Sequence, residues 1–519
     1  MRAPLVLLIC ACAASASECG TFSTDARAPL HTAAPYFASW NIDSSTDREF
    51  FMVDWTSAAL VSAAKGLAAT GGTHIRFGGT GNNFLHYETP SSPCPTSGEA
   101  TCLNSTTWQG ITALSIAAKS PLIFGVNFFP NGKSNNKTFD PSNAVDFFKG
   151  AHARGDTIWG VENGNEINLL VTAEEQAAGL LALDDALATV YGTDARPLLI
   201  GPDALGLHVP APPLYDYLPS EVILQYMADF VVAMEGRLHA VTHHEYVEIN
   251  ITNVIVPAFL DTTYEIAVQV VAKIRNVSSL VEIWAGEIGP HNGDGGPGDG
   301  RLGNCSGNLI CGRWGSSLWY ADAMASKARA GYAAFCRQDF LGADVRMLRG
   351  HRPCANHPHP SNAHAPRTYR TQYGLVNFTT FAPATDYWVL VLWQKLVGTR
   401  VLNVTSSPAD LRVRVYAFCA TSNMNATLVI VNLSSDPLCL APPGIADIPQ
   451  PRLEFSLTPA DGTLTSANAM LNGVILNLDA SGNLPALTGT AVPFSSPINL
   501  APLSVTFVNF ETSADACGN

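Results

Sequence analysis

The sequence predicts an α/β protein: a (β/α)8 TIM barrel followed by a C-terminal antiparallel β-sandwich. Two textures point there. From residue 36 to about residue 398, short apolar runs alternate with amphipathic, Ala-rich segments, as parallel strands each followed by a helix do. Beyond that point apolar residues recur in period two between Gly, Pro, Asn and Asp turns, as in half-buried antiparallel strands. The chain's 519 residues, 47% of them hydrophobic, are enough for a large core and two or three domains.

The first region carries "THIRFGGT", "PLIFGVNFF", "TIWGVENGNE", "RPLLIGPD", "HAVTHHEY" and "VEIWAGEIG". These read as strands buried on both faces, each ending in a polar or Gly-rich loop. "TSAALVSAAKGLAAT", "TAEEQAAGLLALDDALATVYG" and "SSLWYADAMASKARAGYAAF" lie between strands and read as helices. Strand, loop and helix repeated over this length favour the eight-fold barrel, whose chemistry sits at the C-terminal ends of its strands. The helix "DYWVLVLWQKLVG" closes the region. "RVLNVT", "LRVRVYAFCAT", "ATLVIVNLS", "RLEFSLTP", "GVILNLD" and "LSVTFVNFE" then read as sandwich strands. A segment at 349–370, poor in apolar residues and rich in His and Pro, reads as an exposed loop insertion.

Only 14% of residues are charged, and the formal net charge is -14. An acidic chain without a basic run has no electrostatic attraction to nucleic acid or anionic membrane. A highly sulfated polyanion is disfavoured as a partner for the same reason. Residues 1–16 read as a secretory signal, with Arg2, the apolar "LVLLICACAA" and the small-residue "ASA". No later stretch is long and apolar enough to span a membrane. Sequons at Asn104, Asn136, Asn250, Asn276, Asn304, Asn377, Asn403, Asn425 and Asn432 fit a secreted glycoprotein. The expected destination is the extracellular space, or a lysosome or vacuole reached through the secretory pathway. The two acids of "GDGGPGDG" and the group Cys354, His357 and His359 read as loop features rather than metal sites.

Two strand ends carry carboxylates. "TIWGV" leads into Asn165 and Glu166, and "VEIWAG" ends at Glu287. Acids on different strands of one barrel converge across its mouth, and glycoside hydrolysis needs such a pair, one protonated and one ionised. Asn165 is placed to donate a hydrogen bond to a sugar 2-hydroxyl. Spacing alone leaves a second reading open, in which both acids are structural ion-pair partners.

A resemblance favours the first. "VENGNEINLL" and "IWAGEIGPHNGDGGPG" resemble the acid/base and nucleophile motifs of the heparanase-like β-glucuronidases, glycoside hydrolase family 79. "WNIDSS", "RFGGTGNNFLHYETP", "FCRQDFLGA", "YGLVNFTTFAPATDYW" and "LWQKLVGTRVL" match in the family's order, as does "MLNGVILNLDASGNLPALTG". The resemblance covers nearly the whole mature chain. It implies a secreted retaining hydrolase of β-linked glucuronic acid, with Glu166 as acid/base and Glu287 as nucleophile. Asn165 would contact the 2-hydroxyl. Asp43 and Thr80 would hydrogen-bond the sugar, Tyr246 would orient the nucleophile, and His244 would contact the ligand. The loop amides at Gly293, together with Tyr373, would receive the uronate carboxylate. No cofactor or metal is implied. The partner would be a uronic-acid-containing polysaccharide or proteoglycan glycan, and the protein a monomer. The basic linker of the animal heparan-cleaving members is replaced by the short "CPTSGEATC". The alternative is a secreted, catalytically inactive glycan-binding relative; retention of both glutamates favours the enzyme.

The resemblance also bears on domains and disulfides. Residues 17–35 are expected to join the sandwich, 36–398 to form the barrel and 399–519 the sandwich. Proximity in sequence pairs Cys94 with Cys102 and Cys305 with Cys311. Cys419 and Cys517 match a family disulfide. Cys336 and Cys354 flank the insertion and are expected to close it, which leaves Cys19 for Cys439.

Overall fold

The computed structural model describes residues 19–25, 28–44, 53–68, 72–95, 102–129, 138–206, 220–247, 249–290, 310, 312–341, 374–377, 380–407, 411–421, 425–442, 450–479, 481–511 and 517. Eight strands, β1 (Ala38–Asp43), β2 (Ile75–Gly78), β3 (Leu122–Val126), β4 (Ile158–Asn163), β5 (Leu198–Ala204), β6 (Ala240–Tyr246), β7 (Glu282–Gly289) and β8 (Ala334–Arg337), close into a parallel barrel. Each is followed by a helix: α1 (Ala58–Leu67), α2 (Ser105–Ala118), α3 (Ser142–Arg154), α4 (Ala173–Tyr191), α5 (Ser220–Ala233), α6 (Pro257–Arg275), α7 (Trp314–Ala330) and α8 (Thr385–Leu396). The strands are buried along nearly their whole length. The helices cover their outer faces, which is why the sequence shows continuous apolar runs there rather than alternation. Local signals set the helix ends. Thr172 and Glu175 form a reciprocal capping box at the start of α4, and the Asn104 side chain accepts from the Thr107 amide at the start of α2.

The C-terminal part is one large antiparallel sheet with a small second layer. In space its order is Thr21–Asp25, Val397–Ser407, Val413–Ala420, Asn425–Asn432, Ser504–Glu511, Arg452–Pro459, Ala469–Leu471 and Val474–Ile475. Alternation assigns the faces. Tyr416, Phe418, Val429, Val431, Phe455, Leu457 and Phe507 join one core with the residues of α7 and α8. Val415, Ala417, Leu428, Ile430 and Val508 face the other way, onto Leu440, Ile498 and Leu500. Those last three belong to a two-stranded sheet, Leu438–Leu440 with Ile498–Leu500. The barrel's own helices α7 and α8 thus pack on the first face, and among the described residues the second layer of the sandwich is two strands wide.

The chain's start is tied to this sheet. Thr21–Asp25 pairs antiparallel with residues 403–407, and Cys19 is bonded to Cys439. Cys94 is bonded to Cys102 and Cys419 to Cys517. One expected bridge is corrected. Cys336 is a free, buried thiol. Its neighbours Phe335 and Arg337 meet Tyr320 of α7 and Asp386 of α8, so alternation turns Cys336 into the barrel, away from any loop. One sequon is corrected as well. Asn432 is fully buried, and its Nδ2 donates to the carbonyls of Ala501 and Asp436 at 2.8 and 3.3 Å, which leaves no room for a glycan. Asn136, Asn304, Cys305, Cys311, Cys354, Gly293, Tyr373 and the signal segment lie outside the described residues. Among the described residues no helix is long and apolar enough to cross a membrane.

Candidate active site

The C-terminal ends of the barrel strands hold a dense set of ionisable side chains, organised around Arg76. Arg76 lies on β2 and is buried. Its Nε donates to Glu162 Oε2 at 2.8 Å, and one terminal nitrogen donates to Glu287 Oε2 at 2.9 Å. The other reaches Asn165 Oδ1 at 2.8 Å and Asp203 Oδ2 at 2.9 Å. One planar fork therefore links β2 with β4, β5 and β7, as a guanidinium does and an ammonium does not. Gly78 makes room for it: a Cβ there would meet the guanidinium carbon at 2.6 Å. Burial favours the neutral base, but the charges of Asp203, Glu162 and Glu287 outweigh it and hold the proton on Arg76.

The partners separate electrostatically. Burial works to raise the Asp203 carboxyl, yet Arg76 and then His244 hold it far below the usual carboxylate range. Burial pushes Glu162 well up; Arg76 opposes this and the Asp203 charge reinforces it. Two acids around one cation are thus shifted in opposite directions, the pattern that acid and base assignments exploit.

Glu166 stands just past β4. Gly164 has φ 84° and Glu166 itself φ 55°, so the chain turns sharply through the left-handed region where non-Gly residues are uncommon. The turn is held from three sides. The Glu166 amide donates to the Asp203 carbonyl at 3.0 Å. Asn83 accepts from the Asn165 amide and donates to its carbonyl, both at 2.7 Å. The Asn165 side chain has only one consistent orientation: Arg76 is purely a donor, so Oδ1 faces it and Nδ2 points elsewhere. That Nδ2 is buried and has no protein partner.

Opposite, Glu287 accepts from Tyr246 Oη at Oε1 and from Arg76 at Oε2. Carboxylate oxygens of Glu166 and Glu287 lie within 4.8 Å of each other. His244 sits between them. Its Nδ1 is 2.8 Å from Glu166 Oε1 and 3.7 Å from Glu287 Oε2, and its Nε2 is 3.4 Å from Asp203 Oδ1. Burial alone would lower its proton affinity, but Glu287, Asp203 and Glu166 push its pKa up to about 10. Glu166, His244 and Glu287 also have the spacing of a cation site, and a cation there would have to displace the proton of the imidazole.

The structure brings Asn165, Glu166, His244, Tyr246 and Glu287 into one cleft. Asp43 is at the rim, where Gln338 Nε2 donates to it at 2.7 Å. Gly79 packs so closely that a Cβ there would lie 2.1 Å from Asp43 Oδ1. Thr80 is exposed at the start of the short helix Thr80–Phe84. Sequence reasoning missed Arg76, Asp203, Asn83 and the place of Glu162. A signal existed for Arg76, because a cation within a run that reads as buried on both faces requires carboxylates facing it.

Residues 39–324 match the model of glycosyl hydrolase family 79, N-terminal domain. Heparanase-like protein 3 of Arabidopsis thaliana is 25% identical over 514 residues, covering 88% of this chain and 84% of that protein. Baicalin-beta-D-glucuronidase of Scutellaria baicalensis is 25% identical over 490 residues, covering 85% and 82%. Among solved structures, a 4-O-alpha-L-rhamnosyl-beta-D-glucuronidase from Fusarium oxysporum superposes with a TM-score of 0.63 at 14% identity, over 94% of this chain and 100% of that one. At that identity the likeness speaks for the fold.

Proposed function

As the chain belongs to glycosyl hydrolase family 79 and is a glycoside hydrolase acting on O-glycosyl bonds, we propose that it cleaves β-linked glucuronic acid with retention of configuration. The observation that carries this reading is that one carboxylate oxygen of Glu166 and one of Glu287 lie within 4.8 Å of each other, with His244 against both. Retaining enzymes hold their carboxyl groups about 5–5.5 Å apart, and inverting ones leave about 6.5–9.5 Å for a water.

The roles follow from contacts. Glu287 is the nucleophile, aimed by Tyr246 and Arg76 from its two oxygens. Glu166 protonates the leaving oxygen and then takes a proton from the water that opens the glycosyl ester. The unpartnered Asn165 Nδ2 is reserved for the sugar 2-hydroxyl, a bond that strengthens as charge develops at C1. Asp43 and Thr80 line the rim for further sugar hydroxyls. The choice of a uronic acid rests on the family relatives and on Gly293 and Tyr373. Their partner class, a uronate-bearing glycan or glucuronide, is taken over with it. Secretion is supported by three disulfides, which persist in oxidising compartments.

Rates on 4-nitrophenyl β-glucuronide and 4-nitrophenyl β-glucoside test the substrate. The glucuronide is expected to react faster by at least ~10²; a faster glucoside overturns the uronate reading, since a site built for a charged group rejects its absence strongly. NMR of the first-formed sugar is expected to show the β-anomer. Glu287→Gln is expected to fold and to lose turnover. A wild type that binds glucuronides without turning them over would instead make this a glycan-binding protein.

A further inference from the structure

Glu166 must carry a proton before the glycosidic bond breaks, and in the structure its carboxyl group meets an imidazole. His244 Nδ1 lies 2.8 Å from Glu166 Oε1. A contact of that length holds one proton, written either as N–H···O or as N···H–O. We infer that His244 stores the proton Glu166 delivers, passing it across the Nδ1–Oε1 contact and taking it back in each catalytic cycle. The inference rests on the acid/base reading of Glu166 given above.

The surroundings show why the imidazole holds this proton at rest and what releases it. Three barrel elements around His244 present a carboxylate to it. Glu166 comes from the end of β4, Asp203 from β5 and Glu287 from β7, at 2.8, 3.4 and 3.7 Å from its ring nitrogens. Arg76 on β2 is bonded to Asp203 and Glu287, and its Nε to Glu162 of β4. Tyr246, two residues along β6, faces Glu287. Three acids therefore surround the ring, and Glu287 is the one whose charge is removed by bonding to the sugar.

The proton bookkeeping closes. As Glu287 forms its bond to C1, its carboxylate becomes a neutral ester, and its hold on the imidazolium falls. The Nδ1–H bond breaks and an O–H bond forms on Glu166. That proton passes to the glycosidic oxygen, which leaves with the electron pair of the C1–O bond. In the second half, the water oxygen bonds to C1 while its proton goes to Glu166. Glu287 leaves with the ester electron pair, its charge returns, and the proton moves back to Nδ1. The buried imidazole, pushed up to about 10 by the same three acids, is protonated over the whole neutral range.

The reading separates His244 from a residue that merely props up the site. His244→Asn sets an amide nitrogen near the Nδ1 position, which still donates to Glu166 but has no proton to give. Two substrates decide: methyl β-glucuronide, whose leaving group needs protonation, and 2,4-dinitrophenyl β-glucuronide, whose leaving group does not. The variant is expected to lose at least ~30-fold more kcat on the first than on the second, within the range of general-acid assistance. Its alkaline limb of kcat/KM is expected at least about one pH unit lower. Equal losses on both substrates with an unmoved limb overturn the inference. Should the variant not fold, the wild type answers: 15N shifts of the His244 ring are expected to change from imidazolium to neutral imidazole when a 2-fluoroglucuronide traps Glu287 as its ester. An unchanged imidazolium overturns the inference. A wild type inactive on both glucuronides overturns the acid/base reading itself, a different outcome from equal losses in an active enzyme.

Discussion

Replacing Arg76 with Met keeps much of its volume and removes its charge and its donors. The side chain is buried and bonded at 2.8–2.9 Å to Glu162, Glu287, Asn165 and Asp203. Removing one member of a buried charge cluster costs about 3–5 kcal/mol, because the remaining charges stay buried and unpaired. Urea unfolding at pH 7 is therefore expected to show Arg76→Met less stable by that amount. The deficit has a pH signature. Arg76 is the main influence holding Asp203 below the usual carboxylate range, and a depressed acid contributes stability above its unfolded pKa of about 4 that disappears as pH falls through the folded value. The wild type keeps this contribution to far lower pH. In the variant Asp203 protonates earlier, which relieves the unpaired charge, so the gap between the two proteins narrows as pH falls from 7 towards 5. Turnover is expected to drop by about 10²–10³, as when a single preorganised donor is removed from a reacting centre. A stability gap below about 1 kcal/mol at pH 7, or one that is constant with pH, would refute the view that Arg76 neutralises buried acids.

Three further outcomes are expected. Asn165→Ala should cost the wild-type substrate more than ~10-fold in kcat but leave a 2-deoxy glucuronide much less affected, since only the former has the hydroxyl that meets Nδ2; comparable losses would remove Asn165 from the sugar. His244 is raised from 6.5 to about 10, and a group raised on folding gives stability that is full below about pH 6.5 and lost as pH rises through about 10. At ~1.4 kcal/mol per tenfold change in proton affinity this is roughly 5 kcal/mol at most, and the alkaline decline should flatten in His244→Asn. Cys19→Ala with Cys439→Ala should cost about 2–5 kcal/mol and raise the protease sensitivity of the N-terminal strand without changing KM.

The fold was legible because its two periodicities are clean. "PLIFGVNFF" is buried throughout β3, while "ATLVIVNLS" splits into Leu428 and Ile430 on one face and Val429 and Val431 on the other. The thinness of the second sandwich layer was not legible, because period two reports that a face is buried and not what buries it. The same limit misplaced Cys336. Proximity to an insertion suggested a loop thiol, whereas the strand "AFCR" turns alternate residues into the barrel. Asn432 failed for a related reason: a sequon states which residues are adjacent, and burial depends on the strand that carries it.

Glu166 and Glu287 were read as a pair from strand ends, but the cation that meets Glu287 lies on another strand. "THIRFGGT" was taken as an apolar strand with an unremarked Arg76. An arginine there cannot stay unpaired, since a lone buried cation is far costlier than one met by acids. "RPLLIGPD" and "TIWGVENGNE" carry the acids that answer it, Asp203 and Glu162, from strands in the same barrel. Had the three strands been read together, the cation would have located the mouth of the barrel independently of any motif. It would also have separated the acids by role. Glu162, Asp203 and Glu287 are bonded to Arg76, whereas Glu166 meets His244. Under the proposed roles Glu287 is held by Arg76 and Tyr246 for attack, while the sharp turn at Gly164 and Glu166 sets the second carboxylate against His244.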